Sequence, residues 1–151
     1  MVNALDTPLN DPAASEEIKR ADRARKIKLP VPTEAQEQAW LFEWAGYAQR
    51  EYPELKWLFH IPNGSYRPKA TAARLRLEGV KPGVPDLFLP VPMGRYNGLF
   101  LEMKRKNGGK ISGEQNAWLF ALDKNGYCVR VCKGWQEATG VIVRYLEGAE
   151  P

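Results

Sequence analysis

The stretch DLFLPVPMGRYNGLFLEMK, residues 86–104, predicts the centre of the fold. Two short apolar runs, 86–90 and 98–104, stand on either side of the turn-rich segment VPMGRYN. Short apolar runs bounded by turn residues are typical of strands that are buried on both faces. A connection of this length suits an antiparallel hairpin. The stretch therefore predicts two buried, antiparallel strands.

The two acids of this hairpin are expected to face each other. Because side chains alternate along a strand, Glu102 and Lys104 project from one face while Met103 enters the core. If the hairpin is tight, its register brings Asp86 opposite Glu102. Two carboxylates and one ammonium group would then converge at one place.

Such a cluster needs a compensating charge, because adjacent carboxylates repel each other and each loses water on burial. Mg²⁺ prefers oxygen ligands and is commonly held by one or two carboxylates. Asp86, Glu102 and the backbone carbonyl of Met103 therefore predict a metal site. The open positions of the metal would be left for water and substrate. Lys104 would then orient or deprotonate a water that attacks a phosphate of the substrate, and it would offset the negative charge that grows in the transition state. The alternative is a surface ion pair between Glu102 and Lys104, which would contribute little.

Outward from the hairpin, the pattern predicts four helices and two further strands. Thr33 with Gln36, and Ser112 with Gln115, have the spacing of a capping box, which marks a helix start. The predicted helices cover 33–52, 68–79, 112–126 and 135–148, and the strands cover 55–61 and 127–132. This order implies an α/β fold, with a central mixed β-sheet flanked by helices on both faces.

Length and composition indicate one compact domain. The chain has 151 residues, of which 44% are hydrophobic, enough for a single core. Residues 1–32 are polar, basic and bracketed by prolines, so we expect an N-terminal arm outside a domain that spans 33–151. No apolar run resembles a signal peptide or a membrane span, and we expect a soluble, cytoplasmic protein without membrane contact.

Cysteine and histidine usage excludes two other kinds of site. Cys128 and Cys132 lie four residues apart on a predicted strand, roughly 13 Å at about 3.3 Å per residue, too far for a disulfide. They are expected to be buried thiols. His60 is the single histidine of the chain, so a four-ligand zinc site is not expected.

Positive residues crowd both sides of the acids. The net charge of +4 allows a polyanionic partner, and the clustering favours DNA phosphates over a merely solvated surface. A noncatalytic DNA-binding module would keep this basic surface, whereas a scaffold protein would not need it. The candidate DNA-binding residues are Arg67, Lys69, Arg74, Arg76, Lys81, Arg105, Lys106 and Lys110.

Pro85-Asp86 followed by Glu102-Met103-Lys104 resembles the PD-(D/E)XK nuclease signature. The wider run is more specific, and it is similar to the VRR-NUC family of virus-type replication and repair nucleases over about residues 33–147. The motifs that carry the resemblance are HIPNG, LEGVKPGVPDLFLP, GLFLEMKRKNG, SGEQNAWLFALDKNGYCVRV and WQEA.

The resemblance implies a restriction-endonuclease-like core, dependence on Mg²⁺ or Mn²⁺, and hydrolysis of DNA phosphodiesters. By position, Asp86 and Glu102 would be metal ligands and Lys104 the catalytic lysine. Family members also use a glutamate from the first helix. Glu34 opens that helix as the family's acid does and is favoured, but Glu37 remains the alternative because it shares a helical stripe with apolar residues.

Two further positions match family motifs, and each has a structural alternative. Gln115 would position the water or a phosphate, or it would only complete the capping box with Ser112. Asn63 would approach the DNA, or it would only serve the PNG turn. The sequence does not decide between these roles.

The resemblance also bears on substrate and assembly. Compact members of the family resemble Holliday-junction resolvases, which act as homodimers on four-way DNA, so we expect a homodimer that cuts structured DNA. Trp135 and Tyr145 would supply the dimer surface unless they belong to the core. A general or flap nuclease of the same fold is the alternative. The likeness further suggests a viral protein acting in the cytoplasm of a bacterial host.

Overall fold

A computed structural model describes residues 31–62, 69–106 and 108–151. The helices and strands follow the predicted order. They are α1 (Glu34–Ala48), a 3-10 helix (Pro53–Trp57), β1 (Phe59–His60), α2 (Lys69–Leu77), β2 (Leu87–Leu89), β3 (Leu99–Lys104), α3 (Gly113–Lys124), β4 (Cys128–Lys133) and α4 (Trp135–Leu146). Residues 1–30 of the predicted arm lie outside the described residues.

The four strands form one mixed sheet in the order β1-β2-β3-β4. β1 and β2 pair antiparallel, as do β2 and β3, whereas β3 and β4 are parallel. Leu87 pairs with Leu101 and Leu89 with Leu99, which is the register predicted for the hairpin. The predicted α/β class with a mixed sheet and flanking helices is confirmed.

The two faces of the sheet bury different side chains. The leucines of β2 and β3 pack with Leu41 of α1 and with Ile142 and Tyr145 of α4 in the main core. On the other face, Phe88 stacks on Phe100 with ring centroids 4.1 Å apart. This alternation confirms the predicted division of the strand β3 into a core face and a face that carries the acids.

Capping boxes begin α1 and α3, as predicted. In the first, Thr33 Oγ1 accepts the backbone N–H of Gln36 at 3.2 Å, and Gln36 Oε1 accepts the N–H of Thr33 at 2.9 Å. Ser112 and Gln115 repeat the arrangement at the start of α3. Both boxes satisfy backbone donors that a helix start leaves free.

The predicted strand at 55–61 is mostly wrong. Pro53 instead begins the 3-10 helix, because its fixed φ angle suits the first helical position and its missing N–H costs nothing there. Leu55 and Leu58 are buried by this turn. Only Phe59 and His60 join the sheet, as a two-residue edge strand.

Three smaller expectations are also decided by burial. Cys128 and Cys132 are buried free thiols, as predicted. Tyr145 is buried and donates to the carbonyl of Val91 at 2.6 Å, so it belongs to the core and offers no dimer surface. Trp135 is partly buried against the same core.

Within the described residues, no helix is long and apolar enough to cross a membrane.

Candidate active site

Asp86 lies directly before β2, where the pairing with β3 ends. Its Oδ2 accepts the backbone N–H of Met103 at 2.8 Å. Its own carbonyl accepts the N–H of Ile61 at 2.7 Å and lies 2.9 Å from Nδ1 of His60, a contact that requires the proton on Nδ1. Contacts with both neighbouring segments therefore fix the backbone and the carboxylate of Asp86.

Glu102 and Lys104 form a buried pair on β3. The exposed fraction is 1% for Glu102 and 8% for Lys104, and Lys104 Nζ donates to Glu102 Oε1 at 2.7 Å. This pair is therefore not the surface ion pair of the alternative interpretation. The second oxygen, Glu102 Oε2, is buried and has no hydrogen-bond partner among the described residues. An unpaired buried carboxylate oxygen is costly, and it marks a place where a ligand would be stabilised.

Gln115 completes the predicted capping box and also contacts Glu102, whereas its role in positioning a water or a phosphate stays a prediction. Its Oε1 accepts the backbone N–H of Ser112 in the capping box, and its Nε2 donates to Glu102 Oε1. The amide thus joins the start of α3 to the carboxylate on β3. Glu102 Oε1 receives two donors, one from Gln115 and one from Lys104, while Oε2 receives none from the part of the chain that the structure describes.

The two glutamates of α1 lie in different surroundings. Glu34 is exposed, and its charge acts on both Asp86 and Glu102. Glu37 is 1% exposed, and its Oε2 accepts the backbone N–H of Trp135 at 2.9 Å, at the start of α4. Glu34 is therefore close enough for its charge to affect the acids, whereas Glu37 links α1 to the start of α4. The inward direction of Glu37 agrees with the helical stripe that it shares with apolar residues. Its partner, the N–H of Trp135, could not be predicted from the sequence.

The backbone carbonyl of Met103 points toward the carboxylates. Backbone groups of a strand point alternately to its two neighbours. The carbonyl of Lys104 accepts the N–H of Gly134 on the β4 side, so the groups of Met103 point to the β2 side, where its N–H meets Asp86. The register, continued beyond β2, places Pro85 opposite Met103, and proline has no N–H to offer. The Met103 carbonyl therefore receives no ladder bond from position 85.

This donor set fits a divalent cation. Among the side chains that the structure describes, no three His, Cys, Asp or Glu lie together in a way that could hold a metal ion. Two carboxylates and one backbone carbonyl are nevertheless a sufficient partial shell for Mg²⁺, which keeps several waters. The buried Oε2 of Glu102, which has no hydrogen-bond partner among the described residues, is the observation that supports the fit.

Burial sets the protonation of the two acids. It raises the pKa of Glu102 to about 7, with Lys104 opposing this rise and the charge of Asp86 adding to it. Burial also raises the pKa of Asp86, while the N–H of Met103 and the charge of Lys104 act in the opposite direction. Both shifts favour the neutral acid, as expected for carboxyl groups that lose water on burial.

Two glycines allow the chain to approach the site closely. Gly83 has a φ angle of +81°, and a Cβ there would lie 2.6 Å from the backbone of Glu114 in the first turn of α3. Gly109 has a φ angle of +90°, and a Cβ there would lie 2.9 Å from the side chain of Lys104. The sequence shows both glycines, but their contacts depend on the tertiary fold and were not predicted.

The candidate DNA-binding residues fall into three groups. Asn63 and Arg67 lie outside the described residues, as does the side chain of Lys69. Arg74 is exposed on α2 but paired with Glu78 at 3.2 Å. The remaining candidates are exposed, on α2, in the loop before β2 and in the loop after β3, and they are Arg76, Lys81, Arg105, Lys106 and Lys110. Their role in binding remains a prediction.

Comparison with known proteins adds evidence of a different kind. The model of the VRR-NUC domain family matches residues 33–136, which is more than half of the chain. A solved structure described as a VRR-NUC domain protein is 28% identical to this chain, with a TM-score of 0.67. The alignment covers 81% of this chain and 94% of that one. No curated protein matches the chain.

Proposed function

Because the chain belongs to the VRR-NUC family, a nuclease family of the PD-(D/E)XK kind, we propose that it is a metal-dependent endonuclease that hydrolyses DNA phosphodiesters. One observation carries the proposal. The buried Glu102 leaves Oε2 without a hydrogen-bond partner among the described residues, while its Oε1 is held by Lys104 and Gln115. One oxygen is thus positioned by the protein and the other is left for a ligand.

The residues that would hold Mg²⁺ or Mn²⁺ are Asp86, Glu102 and the carbonyl of Met103, with Glu34 at the exposed side. When bound, such an ion acts as a Lewis acid on the phosphate and lowers the pKa of a bound water. Burial raises the pKa values of Asp86 and Glu102, and a cation held between them would favour their charged forms.

Lys104 has the task of orienting the nucleophile and offsetting negative charge. Its ammonium group is nearly buried and is fixed by Glu102 Oε1, so its direction is set before substrate binds. Preorganised donors of this kind stabilise developing charge without reorganisation. Gln115 keeps the same carboxylate oxygen in place from α3 and thereby fixes the direction of Oε2.

For the substrate, we propose structured DNA such as four-way junctions, cut by a homodimer. Paired cuts on two strands require two active centres, and a homodimer supplies one from each subunit. The exposed cations on the loops before β2 and after β3 would hold the phosphate backbone.

Purified protein would be incubated with labelled four-way junctions and with linear duplex, in the presence of Mg²⁺, Mn²⁺ or Ca²⁺. We expect cutting with Mg²⁺ or Mn²⁺, and a loss of about 10²–10³ in rate for Glu102→Gln and for Lys104→Met. Glu51→Gln removes an exposed carboxylate at the far end of α1 and serves as the matched control. Salt-sensitive binding without cutting in any metal would instead identify a noncatalytic DNA-binding module.

A further inference from the structure

An exposed aromatic edge lies beside the carboxylates. Phe59, on the edge strand β1, is 46% exposed, and Trp57, two residues earlier, is 56% exposed. Leu58 between them is buried in the core. One buried leucine therefore anchors a segment whose two aromatic rings remain accessible.

Phe59 lies on the sheet face that carries the acids. It pairs with Phe88, and the two rings meet edge to face with centroids 5.8 Å apart. Since side chains alternate, Phe88 and Asp86 share a face, and the bond from Ile61 N to the Asp86 carbonyl continues the same ladder. Diagonal neighbours across an antiparallel pair lie about 7–8 Å apart. The ring of Phe59 is thus one diagonal step from Asp86.

The Phe59 ring packs edge to face on Phe88. Phe88, which it contacts, is itself stacked on Phe100 at 4.1 Å, and Tyr127 contacts both of those rings by its edge. This row of aromatic rings limits the motion of Phe59 while about half of its surface stays open. A ring that is already positioned loses little further freedom when a ligand stacks on it.

A positive charge accompanies the exposed rings. The ammonium group of Lys56 lies 4.9 Å from the centroid of the Trp57 ring. Aromatic side chains beside cationic groups are the combination by which proteins bind unpaired nucleic-acid strands, because bases stack on the rings and phosphates meet the charges.

We propose that Phe59 stacks on an unpaired base of the DNA strand, next to the phosphate that is to be cut at the candidate site of Asp86 and Glu102. This inference rests on the proposed function and narrows its substrate class. In intact duplex each base is stacked on both sides, so only an unpaired or displaced base offers a free face. The preferred substrate is therefore DNA with an unpaired or displaced nucleotide beside the cut, as at a bulge or at a branch point where a base has left its stack.

The test measures binding separately from cutting. In a Glu102→Gln background, fluorescence anisotropy would give the Kd for two labelled duplexes of equal length, one fully paired and one with a central unpaired thymine. We expect the second to bind about tenfold more tightly, since stacking of one base contributes on this order. Phe59→Leu should abolish the preference, because leucine keeps the apolar contact with Phe88 but has no ring. Phe59→Trp should retain it.

Tyr47→Ala is the matched control. Tyr47 is also an exposed aromatic residue, but it lies near the far end of α1, roughly 20 Å from Glu34 at about 1.5 Å per residue. Thermal unfolding of each variant establishes that its fold is intact. The proposal is overturned if Phe59→Leu keeps the preference for the unpaired thymine. It is also overturned if Tyr47→Ala reduces that preference as much as Phe59→Leu does.

Cutting assays separate this proposal from the proposed function. These assays use protein that keeps Glu102. If the wild-type protein cuts DNA, and Phe59→Leu cuts the two duplexes with the same ratio of rates as wild type, the stacking proposal fails while the proposed nuclease activity stands. If no metal supports cutting but the Phe59-dependent preference is present, the nuclease fails while the stacking interaction stands.

Discussion

Glu34 and Glu37 lie one helical turn apart on α1, yet they have different tasks. Glu37 is buried and accepts the N–H of Trp135, whereas Glu34 is exposed and its charge acts on the acids of the sheet. The backbone N–H of Trp135, the first residue of α4, has no acceptor inside its own helix. The carboxylate of Glu37 supplies that acceptor. Glu37 therefore supports the fold, and Glu34 is available for chemistry.

Substitution of the two glutamates should separate stability from activity. Glu37→Ala leaves the Trp135 N–H buried without a partner and should lower the free energy of unfolding by about 1–3 kcal/mol. Glu34→Ala removes an exposed side chain and should change it by less than about 0.5 kcal/mol, while lowering the cleavage rate. Urea unfolding and a cleavage assay measure the two effects. Equal destabilisation by both changes would contradict this division.

The protonation of Glu102 links pH to stability. Its pKa is raised by burial to about 7 in the folded protein, against an ordinary value of 4.5. Between these values the folded protein holds a proton that the unfolded chain has released, so stability is highest at low pH and falls as pH rises toward 7. The raised pKa of Asp86 acts in the same direction.

Glu102→Gln should weaken this pH dependence. In metal-free buffer, we expect wild-type protein to lose more free energy of unfolding than the variant between pH 5 and pH 8, by on the order of 1–3 kcal/mol. Urea unfolding at the two pH values gives the difference, in which other titrating groups cancel. If both proteins respond equally to pH, Glu102 does not carry a raised pKa.

At the scale of elements, the side-chain amide of Gln115 joins α3 to the strand β3. Gln115 accepts from Ser112 to begin the helix and donates to Glu102 on β3. Gln36 begins α1 by the same capping box, and within residues 31–62, 69–106 and 108–151 its Oε1 accepts hydrogen bonds from Thr33 alone. The two helix starts thus form a natural comparison between a capping role alone and a capping role joined to the site.

Glutamate can replace glutamine in a capping box, so Gln36→Glu should be nearly neutral for stability and cleavage. Gln115→Glu keeps the capping oxygen but places a second carboxylate against Glu102 Oε1, where a donor is required. We expect a cleavage rate at least about tenfold lower and a lower Tm for Gln115→Glu only. Similar behaviour of the two variants would show that the contact with Glu102 is dispensable.

Local patterns made most elements predictable. The alternation in LFLEMK and the short turn-rich connection set the hairpin and its register, and both capping boxes were visible as Thr33-Gln36 and Ser112-Gln115. The 3-10 helix at Pro53 was missed because one apolar run can serve a strand or a tight turn. The partner of Glu37 was also missed, since it lies 98 residues away in sequence.

Across the whole molecule, exposed cations stand before and after the acid-bearing hairpin. Each phosphate contact releases a counterion, so log Kd should vary with log salt by about 0.9 per contact. Arg105→Gln and Lys110→Gln should each reduce that slope by about 1, and each should weaken the binding of paired and of bulged duplexes by the same factor. Arg50→Gln, beyond the far end of α1, should leave the slope unchanged. An unchanged slope in the first two variants would place the DNA elsewhere.

The bond between Glu37 and Trp135 has a consequence for the folding pathway. It joins α1, which also carries Glu34, to the start of α4 across a sequence separation of 98 residues. Closing so long a loop costs conformational entropy before the contact is gained. We therefore expect the docking of α1, and with it the placement of Glu34, to come late in folding.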